Sequence, residues 1–244
     1  MMLTQPLWLQ DLVAFSLQAA SIVIAGSLLL PLLRIHLPRI RLAYWQAVLA
    51  ACVLLPLIQP WRPEWAPGER LGALSLVSMA GESSPSATWS VPTLVFAVLA
   101  GGILLRLFWT MLGLWKLRIY SKRAHPYRQE TAPILEARTL IGVRPQVYLS
   151  TEIVSPATFG LLSPRVLLPH RFIELPAAQQ KAIACHEFLH VARHDWTWNI
   201  AEELILAFLW FHPAVWWVVK NIRLSREQTV DAEAIRATSS RRAY

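Results

Sequence analysis

The chain has 244 residues, of which 55% are hydrophobic and only 16% are charged, and it contains 12 tryptophans. Together with a mean hydropathy of +0.40, this composition excludes an ordinary soluble domain and indicates an integral membrane protein. The net charge of +8 comes without a basic recognition helix or a known DNA-binding motif, so no direct contact with nucleic acid is expected.

Three apolar stretches, at about residues 12–33, 42–61 and 87–115, are long enough to cross a bilayer. No Lys or Arg precedes Arg34, so the first stretch lacks the basic start of a cleaved signal peptide and is expected to remain as a span. Arg106 lies inside the third stretch. It marks either an intramembrane partner or, as the stronger expectation, the point where the span ends and the side chain reaches the headgroups.

The basic residues predict the orientation of these spans. They cluster between the first two spans and after the third: Arg34, Arg39, Arg41, Lys116, Arg118, Lys122 and Arg123. Because cytoplasmic loops carry the excess of Lys and Arg, both clusters are expected in the cytoplasm, where they also attract anionic lipid. The loop 62–86 and the N-terminus are then outside. The chain divides into a transmembrane region, 1–118, and a cytoplasmic domain, 119–244.

Short elements are expected in the first part of the cytoplasmic domain. Gly142 suggests the end of a helix, residues 146–149 alternate like a strand, and residues 157–168 form a strand pair around a Ser163-Pro164 turn. The edge of this pair could add an extended peptide substrate as a further strand, or the pair could simply cover a neighbouring helix. Both interpretations remain open.

A fourth apolar stretch runs from Leu204 to Val219, but it has only 16 residues and is interrupted by His212-Pro213. A spanning helix needs roughly twenty residues, and proline breaks the helix interior. The stretch 204–219 is therefore expected to be re-entrant or membrane-associated. The residues after this stretch then lie on the same side of the membrane as the residues before it.

His186-Glu187-x-x-His190 lies within a predicted helix that covers residues 176–193. Residues four apart leave the same face of a helix about 6 Å apart, so both histidines can bind one ion. A carboxylate at Glu187 can take a proton from an attacking water. The pattern is typical of zinc peptidases.

The third metal ligand has several candidates. His194 is excluded because it lies about 12 Å beyond His186 on the same helix. The acidic candidates downstream are Asp195, Glu202, Glu203, Glu227, Asp231 and Glu233. Glu227 and Asp231 are four residues apart on one face of a predicted helix. They could be a metal ligand and a carboxylate that supports a ligand histidine, or they could belong to a solvated face with arginine partners. Spacing alone does not choose among them.

Several separated motifs carry a family resemblance. They are His186-Glu187-x-x-His190 with Asp195, Trp210-Phe211-His212-Pro213 with Trp216-Trp217, Arg226-Glu227-x-x-x-Asp231, and the segments 155–160 and 164–169. Together with three preceding spans, they resemble the integral-membrane metallopeptidases typified by the BlaR and MecR antirepressors. No Ser-x-x-Lys occurs, so the penicillin-binding sensor of those proteins is not expected in these residues.

The resemblance implies one Zn²⁺ per chain bound by His186, His190 and Glu227, with Glu187 as general base. Asp231 and Asp195 would support the ligands, and His212 and Arg226 are candidates for stabilising the tetrahedral intermediate. The expected fold is a mostly α-helical, multi-span membrane protein with a small α+β, gluzincin-like peptidase domain on the cytoplasmic side.

The implied function is hydrolysis of a cytoplasmic protein, a transcriptional repressor and also the peptidase itself, at a bacterial inner membrane. The expected partners are the protein substrate and the lipid bilayer, and a homodimer is one candidate assembly. One alternative is a housekeeping processing peptidase similar to the CAAX prenyl proteases. Another is a non-catalytic membrane sensor or scaffold with a structural zinc.

Overall fold

A computed structural model of the protein describes residues 7–58, 91–127 and 131–239. The loop 62–86, predicted to face outside, lies beyond this part of the chain. The elements in order are α1 (Leu7–Leu32), α2 (Pro38–Ile58), α3 (Val91–Arg123), β1 (His125–Pro126), α4 (Ala132–Ile141), β2 (Gln146–Ser150), β3 (Ala157–Phe159), β4 (Arg165–Pro169), a 3₁₀ turn (His170–Glu174), α5 (Ala177–Ala192), α6 (Asp195–Phe208) and α7 (Pro213–Ser239).

The first three helices are long and apolar enough to cross a membrane, as the sequence predicts. The third is longer than expected. It continues past Trp115 to Arg123 as one helix of 33 residues, about 50 Å, against a hydrocarbon thickness of about 30 Å. Its last turns are stabilised because Leu117 and Tyr120 pack against the apolar cluster around Phe159.

The apolar stretch 204–219 is divided between two helices. α6 ends at Phe208 and α7 begins at Pro213, so the break expected at His212-Pro213 is present. Proline has no N–H with which to continue the first helix. The two arms come together again where Arg223 Nη2 lies 2.7 Å from Glu203 Oε1. The chain therefore turns back after α6 instead of continuing in the same direction.

The first half of α7 packs along the apolar helices α1 and α2. Val215, Val219 and Ile222 are almost completely buried in one cluster with residues of α2 such as Trp45. Near the other end of α7, Glu233 lies 2.7 Å from Arg39, at the start of α2. The segment after the turn is thus held against the membrane helices along much of its length.

A four-stranded sheet in the order β1-β2-β4-β3 supports α5. β2 and β4 are parallel, whereas β3 is antiparallel to β4 and forms an edge of the sheet. Phe188 of α5 is completely buried with Val166 and Leu168 of β4. β3 stops at Phe159 because Gly160 has φ +105°, and a Cβ at Gly160 would come 2.5 Å from the Ser163 carbonyl oxygen.

A glycine lets the turn after α6 dock on α3. A Cβ at Gly102 would lie 2.0 Å from the indole of Trp210, and the Trp210 Nε1–H donates to the Leu99 carbonyl at 3.2 Å. The indole occupies the space that a side chain would need. This contact fixes one end of the interface between α3 and α6.

Replacing Gly102 by Ala should lower the free energy of unfolding by about 1–3 kcal/mol, because the new methyl group overpacks the Trp210 contact. Thermal unfolding of the purified protein in detergent measures the effect as a lower Tm. Gly101→Ala is the matched control, since a Cβ at Gly101 meets nothing within 4 Å. An equal Tm for the two variants would show that the contact does not hold α3.

Candidate metal centre

Helix α5 presents the two histidines of the His-Glu-x-x-His run on one face. One side of the helix, with Cys185 and Phe188, is buried against the sheet. On another side, His186 Nε2 and His190 Nε2 lie 3.2 Å apart. The spacing of four residues therefore brings one ring nitrogen of each histidine to the same point, as the helical repeat predicts.

Glu227 reaches this point from α7. Its Oε2 lies 3.7 Å from His186 Nε2 and 3.7 Å from His190 Nε2. The three residues can each offer one ligand atom, all within 4.8 Å of one another. Glu227 comes after the turn between α6 and α7. It can lie next to His186 and His190 only because the chain returns toward α5 after residues 204–219.

The three donors suit a zinc ion. Zinc takes imidazole nitrogen and carboxylate oxygen at about 2.0–2.2 Å, which separates two ligands of a tetrahedral site by about 3.4 Å. The observed separations of 3.2 and 3.7 Å bracket that spacing. The side chains of His186 and His190 are 27% and 14% exposed, and that of Glu227 is 55% exposed. Solvent therefore reaches the group through Glu227.

Two further carboxylates contact the other nitrogen of each histidine. His190 Nδ1 lies 2.8 Å from Asp195 Oδ2, and His186 Nδ1 lies 3.1 Å from Asp231 Oδ1. A carboxylate at Nδ1 keeps the proton on that nitrogen and leaves Nε2 free to bind a metal. Both supporting residues expected from the sequence are therefore next to the histidines they would orient.

The electrostatics around His190 favour positive charge. Burial lowers the pKa of His190, but the hydrogen bond with Asp195 and the charges of Glu227, Glu187 and Asp195 outweigh it, so the pKa is raised overall. Carboxylates that stabilise a proton on this ring also stabilise a bound cation in the same place. The negative charge around His190 therefore favours a cation at the point where the three donors meet.

Glu187 is buried, 8% exposed, beside the histidines. The Thr158 hydroxyl, on the edge strand β3, donates to Glu187 Oε2 at 2.6 Å. Sequence reasoning missed Thr158, although it marked the strand pair as a neighbour of the metal helix. The contact ties the edge of the sheet to the carboxylate expected to act as base.

Arg226 and His212, the candidates for stabilising an intermediate, have other contacts. Arg226 is 2% exposed and binds Asn199 and Glu202. The His212 ring is 3% exposed, and its Nε2 lies 3.1 Å from the Ser16 carbonyl oxygen in α1. Neither side chain joins the group formed by the two histidines and Glu227.

The rival ligands Glu202 and Glu203 belong to a chain of ion pairs. Arg223 lies 3.3 Å from Glu202 and 2.7 Å from Glu203, and Arg106 lies 3.3 Å from Glu203. The guanidinium of Arg106 also stacks 4.5 Å from the ring of Trp216. Arg106 therefore has partners within the helical bundle, as the less favoured of the two interpretations from the sequence expected.

The sequence profile of the family described as BlaR1 peptidase M56 matches residues 71–244, well over half of the chain. The chain belongs to this family. The Regulatory protein BlaR1 of Bacillus licheniformis is 33% identical to it over 82 residues, which are 34% of this chain and 14% of that relative. The aligned segment thus spans only a small part of the relative's own length.

Membership of the M56 family agrees with the resemblance seen in the sequence. The family is described as a peptidase, and the described part of this member contains one group of three residues with the geometry of a metal site. Three apolar helices of membrane-spanning length accompany it. The chain thus combines a membrane region with the donor set of a metallopeptidase.

Glu227→Gln should remove most of the bound zinc, because a neutral amide is a much weaker ligand than a carboxylate. The metal content of the purified M56 protein can be measured by plasma mass spectrometry. Glu203→Gln is the control, because it removes the same negative charge and leaves the three donors intact. If Glu203→Gln lost zinc and Glu227→Gln kept it, the ligand assignment would be wrong.

Proposed function

We propose that this protein is a membrane-embedded zinc endopeptidase that hydrolyses a peptide bond of a cytoplasmic protein. The observation that carries the proposal is the convergence of His186, His190 and Glu227 beside the buried carboxylate of Glu187. A catalytic zinc has three protein ligands and leaves a position open, whereas a structural zinc is usually closed by four. The exposed side of this group supports a catalytic site over a structural one.

When bound, zinc supplies a Lewis acid that polarises the scissile carbonyl and lowers the pKa of a water. Glu187 accepts a proton from the attacking water and passes it to the leaving amine nitrogen. Thr158 holds one oxygen of this carboxylate and leaves the other to exchange the proton. Asp195 and Asp231 keep both imidazoles oriented through the reaction.

The position of the edge strand β3 favours a protein as the substrate. Among the described residues, β3 is paired with β4 alone, and its Thr158 contacts Glu187. An extended peptide that adds to such an edge gains main-chain hydrogen bonds and passes close to the general base. Of the two interpretations of the strand pair, this contact favours substrate binding.

Charge supports a cytoplasmic site. Glu233, near the end of α7, pairs with Arg39 at the start of α2, and Arg123 at the end of α3 pairs with Glu152 beside the sheet. Both arginines belong to the clusters that the positive-inside rule places in the cytoplasm. The metal centre, which shares α7 and the sheet, then faces the same compartment.

A transcriptional repressor is the substrate that the resemblance to the BlaR and MecR antirepressors implies, and the relative from Bacillus licheniformis carries the name of a regulatory protein. The peptidase itself is a second substrate in this proposal. Both cleavages would serve signal transduction across the inner membrane. In the part of the chain that the structure describes, no feature favours a housekeeping processing role over this one.

Glu187→Gln should retain zinc and lose hydrolysis by at least roughly 10²-fold, because the amide cannot accept a proton. Both quantities are measured on one preparation, by metal analysis and by mass spectrometry of digested peptides. In cells, fragments that accumulate with the wild type and not with the variant identify the substrate. Undiminished hydrolysis by the variant would refute the mechanism.

Thr158→Val should lower kcat about tenfold or more without loss of zinc, because a hydrogen bond to a charged group contributes about 1.5–3 kcal/mol. KM should change little, since Thr158 positions Glu187 through its side chain. Thr158→Ser restores the hydroxyl and should recover most of the rate. If Thr158→Ser were as slow as Thr158→Val, or if Thr158→Val kept the wild-type rate, the hydrogen bond to Glu187 would not account for the effect.

A further inference from the structure

The buried carboxylate of Asp195 contacts more than the histidine it would orient. Its Oδ2 lies 2.8 Å from His190 Nδ1 and 3.5 Å from Arg193 Nε, and its Oδ1 lies 3.6 Å from Arg226 Nε. The Asp195 side chain is only 5% exposed, and a buried carboxylate is stable when cations and donors surround it. Arg193 therefore approaches the same carboxylate oxygen as His190.

The turn between α5 and α6 brings these groups together. Two residues, Arg193 and His194, separate the end of α5 at Ala192 from the start of α6 at Asp195. His194 has φ +55°, in the left-handed region that residues other than glycine seldom adopt. The chain reverses at this point. The reversal places Asp195 beside His190, and Arg193 lies at the corner.

Arg193 also reaches α7, the helix that carries Glu227. Its Nη1 lies 3.3 Å from Glu233 Oε1, and the same oxygen lies 2.7 Å from Arg39 Nε at the start of α2. The side chains of Arg193 and Glu233 are 21% and 16% exposed, so salt screens this pair less than it screens a surface pair. One guanidinium thus connects the carboxylate that contacts His190 with the helix that carries the third donor.

Apolar packing alone does not define how α5 and α7 lie against each other. Leu189 of α5 and Val230 of α7 are buried in one small cluster. Hydrophobic contact is non-directional, so it brings two helices together without fixing their rotation or their sliding. An ion pair between defined atoms can fix both. The pair of Arg193 and Glu233 lies within about one helical turn of this apolar contact on each helix.

We propose that Arg193 is a positioning residue of the metal centre. Its guanidinium holds Asp195 against His190. Through Glu233, it also keeps α7 at the spacing that brings Glu227 to the two histidines. The inference rests on the proposed zinc site and adds the group that sets the spacing of the two helices that carry the ligands.

The sign of the effect on zinc affinity separates positioning from simple electrostatics. Arg193 is a cation close to the place of a metal cation, and like charges repel each other. If Arg193 acted only through its charge, its removal would tighten zinc binding, and it would also leave two carboxylates near the ion without this partner. A positioning role predicts the opposite, because zinc would then bind donors that are no longer held in place.

The experiment measures the zinc Kd of the purified full chain by competition with a chromophoric chelator. Arg193→Gln should weaken zinc binding about tenfold, since loss of groups that orient metal ligands typically lowers metal affinity by roughly 10–100-fold. Arg193→Lys keeps the charge but replaces the planar fork by a single nitrogen, so it should recover only part of the affinity. Zinc binding is measured without a substrate and does not depend on hydrolysis.

Arg236→Gln is the matched control. It removes the same charge from an exposed position of α7, and Arg236 belongs to neither ion pair of Arg193. Its zinc Kd should equal that of the wild type. The Tm of each metal-free variant checks that it is folded. If Arg193→Gln does not fold, Arg193→Lys replaces it throughout, with a smaller loss in the same direction.

A double variant tests the route through α7. Glu233→Gln should weaken zinc binding in the wild type, because it removes the anchor of Arg193 on that helix. In the Arg193→Gln background, the same change should alter the zinc Kd by less than about twofold. An effect of the Glu233 charge alone would instead be equal in both backgrounds.

The visible absorption of the Co²⁺-loaded protein provides a readout of coordination geometry that is separate from affinity. Arg193→Gln should change the intensity of the bands, whereas Arg236→Gln should leave the spectrum as in the wild type. A folded Arg193→Gln protein with the wild-type spectrum, or with unchanged or tighter zinc binding, would overturn the inference. So would an effect of Glu233→Gln that is equal in both backgrounds.

The outcome for the peptidase function is separate. If the zinc-loaded wild type cleaves no peptide, or if Glu187→Gln cleaves peptides as the wild type does, the proposed function fails whatever the zinc Kd values show. If the wild type cleaves peptides and Arg193→Gln binds zinc as tightly as the wild type, only the role of Arg193 is wrong.

Discussion

The arrangement of His186, His190 and Glu227 depends on one buried guanidinium, that of Arg226. It binds Glu202 and Asn199 of α6 and lies 3.6 Å from Asp195, the residue that also contacts His190. Because Arg226 immediately precedes Glu227, the contacts that hold Arg226 also fix the position of the Glu227 carboxylate. Removing one partner of a buried ion pair typically destabilises a protein by about 3–5 kcal/mol, so the stability of the fold and the geometry of the three donors depend on the same group.

Local regularities made part of the structure predictable. Hydropathy identified three helices that are long and apolar enough to span a membrane, because a bilayer requires long uncharged segments. The repeat of the α-helix placed His186 and His190 at one point, and the proline in His212-Pro213 marked the break between two helices. In each case the deciding physics lies within about twenty consecutive residues.

Long-range packing decided the rest. Spacing left six acidic residues downstream of His190 as candidate ligands, and only the family resemblance favoured Glu227. In the structure, the return of α7 brings Glu227 to the histidines, whereas Glu203 pairs with Arg223. Thr158 has no sequence pattern that marks it, since its role depends on the edge position of β3 beside α5. The partner of Arg106 is 97 residues away in the chain, and α3 exceeds its predicted end because its last turns rest on the sheet.

The unbroken length of α3 gives the molecule a mechanical property. Arg123, at its end, is about 32 Å along the helix from the docking point at Gly102, and it pairs with Glu152 in the segment between β2 and β3. A rigid rod that pivots by about 10° at that point moves its tip by about 5 Å. A small tilt of one span would therefore act as a lever on the strand that carries Thr158.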